Sequence, residues 1–106
     1  MEIRNRRVDY RVRYPDRLRP TLEWEGAALS VFDLSEGGIR FSRGDDLPLH
    51  TGDHLEARIR LPHGVVAPLA GFVLRTSDID VAVRLEHGVS FQTILAQRDL
   101  VSVDSG

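Results

Sequence analysis

Residues 55–61 read Leu-Glu-Ala-Arg-Ile-Arg-Leu, and the fold class is decided there. Leu55, Ala57, Ile59 and Leu61 fall on one side of a period of two and Glu56, Arg58 and Arg60 on the other, the pattern of a strand with one buried and one wet face. Downstream, Pro62, His63 and Gly64 turn the chain into a second apolar run, Val65 to Leu74, where Pro68 and Gly71 indicate an edge position or a bulge. Val81, Val83 and Leu85 alternate with Asp80, Ala82, Arg84 and Glu86, and after His87 and Gly88 comes a further short strand with Val89 and Phe91. Upstream, Leu22 and Trp24 lead into a turn at Glu25 and Gly26, Leu29 and Val31 come after it, and Ile39 and Phe41 make one more short strand. Six or seven short strands at regular spacing predict an all-β antiparallel sandwich or barrel. Only the tail from Thr93 to Val103 has room for a helix, with Leu95 and Leu100 as its expected core contacts. There is no internal repeat and no low-complexity segment.

At 106 residues and 42% hydrophobic content the chain fits one domain, large enough to bury roughly 60 to 70% of the surface its unfolded form exposes. With no cysteine, disulfides and cysteine-bound metals are excluded. The first residues are charged where a signal peptide needs an apolar core, and no apolar run reaches the roughly 18 residues of a membrane helix. A soluble, cytoplasmic protein is the expectation. All 14 basic residues are arginine. Seven of them, against three acids, fall in residues 1–19, so that segment carries +4 and the rest of the chain −6. A basic arm thus precedes an acidic body, and arginine's planar fork of donors suits phosphate oxygens and the guanine edge.

Two clusters carry candidate chemistry. Arg7 and Arg11 are four residues apart; an extended arm would place them about 13 Å apart at ~3.3 Å per residue, a helical one about 6 Å apart. Spacing leaves both open. In the extended case Val8, Tyr10, Val12 and Tyr14 share one face and Arg7, Asp9, Arg11 and Arg13 the other. The second cluster, Asp33-Leu34-Ser35-Glu36-Gly37-Gly38, is a turn by its chemistry, because Asp and Ser bond nearby backbone and Gly accepts positive φ. The same atoms suit a ligand: a carboxylate accepts from guanine's N–H donors, a hydroxyl reaches a phosphate or base, and glycine allows close backbone approach.

Together, RxxxR (Arg7, Arg11) and, further along the chain, DxSxxG (Asp33, Ser35, Gly38) resemble the paired signature of PilZ domains. The resemblance continues through Gly38-Ile39-Arg40-Phe41, through Gly71-x-Val73-x-Arg75, and through Gly88-Val89-x-Phe91 as a late strand. It implies a six-stranded antiparallel β-barrel with a short C-terminal helix, divided into a basic arm, 1–14, and a barrel domain, 15–106. It further implies a cyclic di-GMP site where the arm folds over one barrel end, in a protein without catalytic activity or cofactor. By that resemblance Arg7 and Arg11 hold phosphates and the Hoogsteen edges of guanine. Asp33 and Ser35 read the other base edges, Gly38 keeps the turn tight, and Gly37 belongs to the same ligand-binding set. Arg6 resembles the arginine of members that take a stacked, intercalated pair of ligand molecules. The implied output is a changed contact surface for an effector protein in motility, biofilm or related pathways, from a free-standing adaptor.

Three arginines making charged hydrogen bonds supply roughly 5 to 9 kcal/mol at about 1.5 to 3 each, against an association cost of about 4 to 15. Ordering five arm residues would cost about 5 to 10 kcal/mol more, so an arm structured in part before ligand arrives is expected. Other constellations carry less. His50 and His54 lack a third metal ligand, the serines and histidines have no nucleophile elbow, and the chain has no lysine to complete a phosphate loop at Gly37 and Gly38. Trp24 reads as core, and Arg40, Arg75 and Arg84 as outward strand residues, one of which could extend the basic site. Two other functions fit the pattern: a small barrel binding RNA or single-stranded DNA through the arm, and a PilZ-like scaffold working by protein contacts alone. The acidic body and the lack of an aromatic stacking pair argue against the first; the intact motif residues argue against the second.

Overall fold

The computed structural model describes residues 10–45 and 47–105. Its strands are β1 (Val12–Arg13), β2 (Thr21–Trp24), β3 (Ala27–Leu34), β4 (Gly38–Ser42), β5 (His54–Arg60), β6 (Val66–Thr76) and β7 (Asp80–His87), and the chain ends in helix α1 (Phe91–Ser105). Every pairing is antiparallel, and the order β3-β2-β5-β6-β7-β4 closes on itself through β3–β4. The result is a six-stranded barrel with β1 as an additional strand. Closure gives each of the six barrel strands a neighbour on both sides over part of its length, so little free edge is left to pair with other chains.

The arm's end is extended. Val12 pairs with Leu34 and Arg13 with Asp33, and Tyr14 N donates to Phe32 O at 3.0 Å. The chain then leaves through a 3₁₀ turn at Asp16–Leu18 and returns as β2, where Thr21 pairs with Ser30. Val12 and Tyr14 are buried while Arg11 and Arg13 are exposed, the facial split that an extended arm requires. Tyr14 donates to Gln97 Oε1 of α1 at 2.6 Å, and burial pushes its hydroxyl above the ordinary tyrosine pKa, so it remains a donor. Between β2 and β3, Glu25 (φ 48) and Gly26 (φ 82) form a two-residue turn whose positive φ values match the strand twist.

The barrel interior is filled by the alternating positions that the sequence marks: Leu22, Leu29, Val31, Ile39, Phe41, Leu55, Ile59, Val81 and Val83 are buried, and Trp24 packs against them partly exposed. Burying each large apolar side chain contributes about 1.5 to 3 kcal/mol. Three irregularities break the alternation. Phe32 is an extra residue on β3 between Val31↔Phe41 and Asp33↔Arg40, Leu74 is one on β6 between Val73↔Val83 and Arg75↔Ala82, and Glu86 is one on β7. Each displaces the later residues of its strand by one position, so Leu34 rather than Asp33 enters the core.

The edge-or-bulge expectation for Pro68 and Gly71 is met: Pro68 pairs only with Arg58 of β5, since β7 pairing begins at Ala70, and the β6–β7 register shifts between Ala70 and Gly71. Two other expectations are corrected. Val89 and Phe91 do not form a strand, since the Ser90 hydroxyl accepts from Thr93 N at 3.1 Å and so caps α1, which starts at Phe91. The helix's core contacts are Ile94 and Gln97, both buried, and the partly buried Val101, rather than Leu95 and Leu100. Among the described residues no helix is long and apolar enough to cross a membrane, and no group of three metal-ligating side chains occurs.

At Gly71 a Cβ would collide with the Arg84 carbonyl of the neighbouring strand, whereas at Gly37 it would meet nothing within 4 Å. Gly71→Ala should therefore cost about 1 to 3 kcal/mol as overpacking, lowering the melting temperature by roughly 5 to 15 °C. Gly37→Ala should leave it almost unchanged. Equal melting temperatures for the two variants would contradict the close β6–β7 approach.

Candidate ligand-binding groove

The shifted phase of β3 after Phe32 turns Asp33 outward, opposite Arg40 of β4 and Arg13 of β1. Its carboxylate is nevertheless nearly enclosed, with a side chain 4% exposed. A buried charge is stable only when paired, and Asp33 is paired twice: Arg11 Nη1 donates to Oδ1 at 2.6 Å and Arg40 Nε to Oδ2 at 2.9 Å. The first joins residues 22 apart in sequence, bringing the second arginine of RxxxR against the aspartate of DxSxxG.

Arg40 carries the network inward along the groove. Its Nη1 donates to Asp80 Oδ2 at 2.8 Å, and Ser77 Oγ donates to Asp80 Oδ1 at 2.7 Å. Arg75 Nη1 lies 3.7 Å from the same carboxylate. The hydrogen bond from Arg40, then that from Ser77, holds Asp80 below the ordinary carboxylate range, and the bonds to Asp80 and Asp33 hold Arg40 above the ordinary arginine value. Arg40 also lies over the Phe32 ring at 5.0 Å, with Arg19 over the same ring at 4.7 Å. The bulged phenylalanine thus becomes a platform for two guanidinium groups.

The groove these residues border has a volume of about 470 Å³ and is lined by Arg11, Arg13, Arg40, Arg75 and Arg84 around Asp33 and Gly38. Five guanidinium groups against two buried carboxylates, Asp33 and Asp80, leave it net positive, and an anionic ligand with flat, donor-bearing rings matches that chemistry.

Arg11, Asp33, Gly37 and Gly38 all line the groove. Ser35 sits inside the turn, its N–H donating to Gly38 O at 2.9 Å and its hydroxyl to the same oxygen at 3.4 Å. A Cβ on Gly38 would stand 3.7 Å from Arg11 Nη2. Arg6 and Arg7 lie outside the described residues. Arg40, Arg75 and Arg84, read as outward strand residues, all belong to the groove, as does Arg13. Arg40 was accessible to sequence reasoning, because a tight β3–β4 hairpin sets it across from Asp33; Asp80 and the Phe32 platform carried no sequence signal.

The family model described as PilZ domain matches residues 3–102, and the chain belongs to that family, which is associated with cyclic di-GMP reception. Two solved structures share the fold. An uncharacterized Legionella protein, Lpg0364, superposes with a TM-score of 0.65 at 12% identity over 92% of this chain and 99% of that one. The Bacillus subtilis inhibitor of motility MotI/DgrA superposes with a TM-score of 0.68 at 20% identity over 91% of this chain, which spans 50% of that structure. None of the curated proteins matches the chain.

Because the folded state lowers Asp80's pKa, it binds fewer protons there than the unfolded chain does. The stabilisation is complete above the unfolded value of about 3.9 and is lost as pH falls through the folded one. Asp80→Asn should cost about 1 to 3 kcal/mol at pH 7, where Arg40, Arg75 and Ser77 lose their charged partner. It should also flatten the decline in stability below about pH 4. Urea unfolding from pH 7 to pH 3 tests both; parallel curves for variant and parent would contradict the assignment.

Proposed function

We propose that the chain is a cyclic di-GMP receptor whose ligand occupies the arginine-lined groove, with residues 1–14 as the gripping arm and 15–106 as the barrel that receives it. The observation that carries the reading is the 2.6 Å contact between Arg11 and Asp33, which unites the two motif halves in one positive cleft. Arg7 and Arg11 take phosphates and guanine Hoogsteen edges, and Asp33 and Ser35 address the remaining base edges. Asp33 uses two of its roughly four acceptor positions on arginines, so it retains capacity for guanine N–H donors. At Gly38 a Cβ would be in ordinary contact, 3.4 Å from Val83 O, so the barrel itself tolerates a methyl there. The absent side chain serves the ligand's approach along with Gly37. Arg6 fits a second, intercalated ligand molecule.

The arm's last residues are already paired with β3, which spares ligand binding part of an ordering cost of about 1 to 2 kcal/mol per residue. Ligand draws Arg11 from Asp33 toward phosphate, neutralises the cluster and changes the surface offered to an effector protein in the cytoplasm. No catalytic step and no further cofactor enters this reading. An output in motility agrees with the name of the Bacillus neighbour, an inhibitor of motility.

Calorimetric titration with cyclic di-GMP, GTP and a short single-stranded oligonucleotide tests the reading. Saturable heat is expected with the cyclic dinucleotide alone, at two molecules per chain if the Arg6 assignment holds. Arg11→Ala should weaken binding about 10- to 100-fold for one charged contact of about 1.5 to 3 kcal/mol, without changing the circular dichroism spectrum. Oligonucleotide binding that falls steeply with salt, with no response to cyclic di-GMP, would overturn it.

A further inference from the structure

At the far end of β3 from Asp33, the barrel wall is incomplete. β2 pairs with β5 only through Thr21↔Arg60, Leu22↔Ile59 and Glu23↔Arg58. The next step of that ladder would join Trp24 to Ala57, but Trp24 keeps only its β3 partner, Ala27, and the β2–β5 ladder stops at Glu23. β5 continues to His54 with β6 on one side; among the described residues no strand flanks His54–Ala57 on the other. The opening is a cleft of about 850 Å³ between the β2–β3 hairpin and β5–β6. Consecutive residues line it, Glu23 to Ala28 from the hairpin and Glu56 to Arg58 from β5.

Its chemistry differs from that of the arginine groove. Trp24, Ala57, Pro68 and Leu69 supply apolar surface, and three carboxylates, Glu23, Glu25 and Glu56, outnumber the one guanidinium group of the lining, Arg58, with His87 also at the border. Of these three, among the described residues, only Glu23 has a salt bridge, to Arg60 at 3.2 Å; Glu25 and Glu56 have none.

We infer that this cleft is a docking groove for an extended, arginine- or lysine-bearing segment of a partner protein, which adds as a strand along the free side of His54–Ala57. Main-chain pairing with an uncovered strand gives a segment its direction, and the side chains at alternate positions give specificity. The unpaired carboxylates select cationic side chains, and Trp24 with its small neighbours admits a compact apolar residue between them. The site shares no lining residue with the arginine groove, so a basic partner and an anionic ligand occupy different ends of the barrel.

The test is an NMR titration of the ¹⁵N-labelled full chain with three capped heptapeptides, Thr-Val-X-Val-X-Val-Thr, in which X is Arg, Glu or Thr. The arginine peptide should give saturable shifts at the Trp24 indole N–H and the amides of Leu55–Ala57, and the glutamate peptide none. Combined Glu25→Arg and Glu56→Arg substitution should weaken binding about tenfold, as expected for reversing two solvent-facing charges, with the thermal melt unchanged. Arg11→Ala should have no effect. Saturable shifts confined to residues 33–40, equal binding of the arginine and glutamate peptides, or no saturable shift at Trp24 would each overturn the inference. If no peptide binds and the charge-reversed variant self-associates, the glutamates are guards against strand pairing between copies, and the docking role is refuted.

Discussion

One enclosed carboxylate organises the functional end of this barrel. Asp33 lies almost out of water and is paired with two guanidinium groups, one from the arm and one from the next strand. An unpaired charge in that position would be costly, so wherever Asp33 goes, Arg11 and Arg40 must go too. Arg40 then draws in Asp80, and through it Ser77 and Arg75. The positive groove is the outer surface of this network: five arginines gathered where mutual repulsion alone would scatter them.

The arm takes part in the barrel and is not merely appended to it. Val12 and Tyr14 enter the core, and Tyr14 is tied to Gln97 of the C-terminal helix. Arg11 therefore projects from backbone fixed on one side by β3 and on the other by α1, so its orientation is largely settled before any ligand arrives. The side chain itself is 42% exposed, with room to turn from Asp33 to a ligand.

Most of the barrel is legible in the sequence because its strands bury one face, and a period of two survives wherever the ladder is regular. The stretch from Leu55 to Leu61 and the strand through Val81 and Val83 both show it directly. The alternation misleads at Val89 and Phe91, where two apolar residues at strand spacing lie instead before and within the first turn of a helix that Ser90 caps. It misleads again in α1, because Ile94 and Gln97, the buried positions, include a polar residue chosen for its bond to Tyr14. At the candidate site, Arg11, Asp33 and Gly38 stand out by motif. Arg75 stands in the resembling Gly71-x-Val73-x-Arg75 strand but with no site role attached, and Arg84 carries no motif; only the tertiary arrangement of β6 and β7 brings both to the same groove.

Two of the groove's charged residues are there because the chain contains one residue more than a regular ladder needs. From Val31 a strict alternation would send Asp33 into the interior, and from Gly71 and Val73 it would do the same to Arg75; the extra Phe32 and Leu74 reverse both. The recognition letters are consequently not portable by themselves. Copied onto another barrel without these two spacers, the same aspartate and arginine would face inward, so the lineage that keeps this pocket has to keep its strand lengths along with its motif.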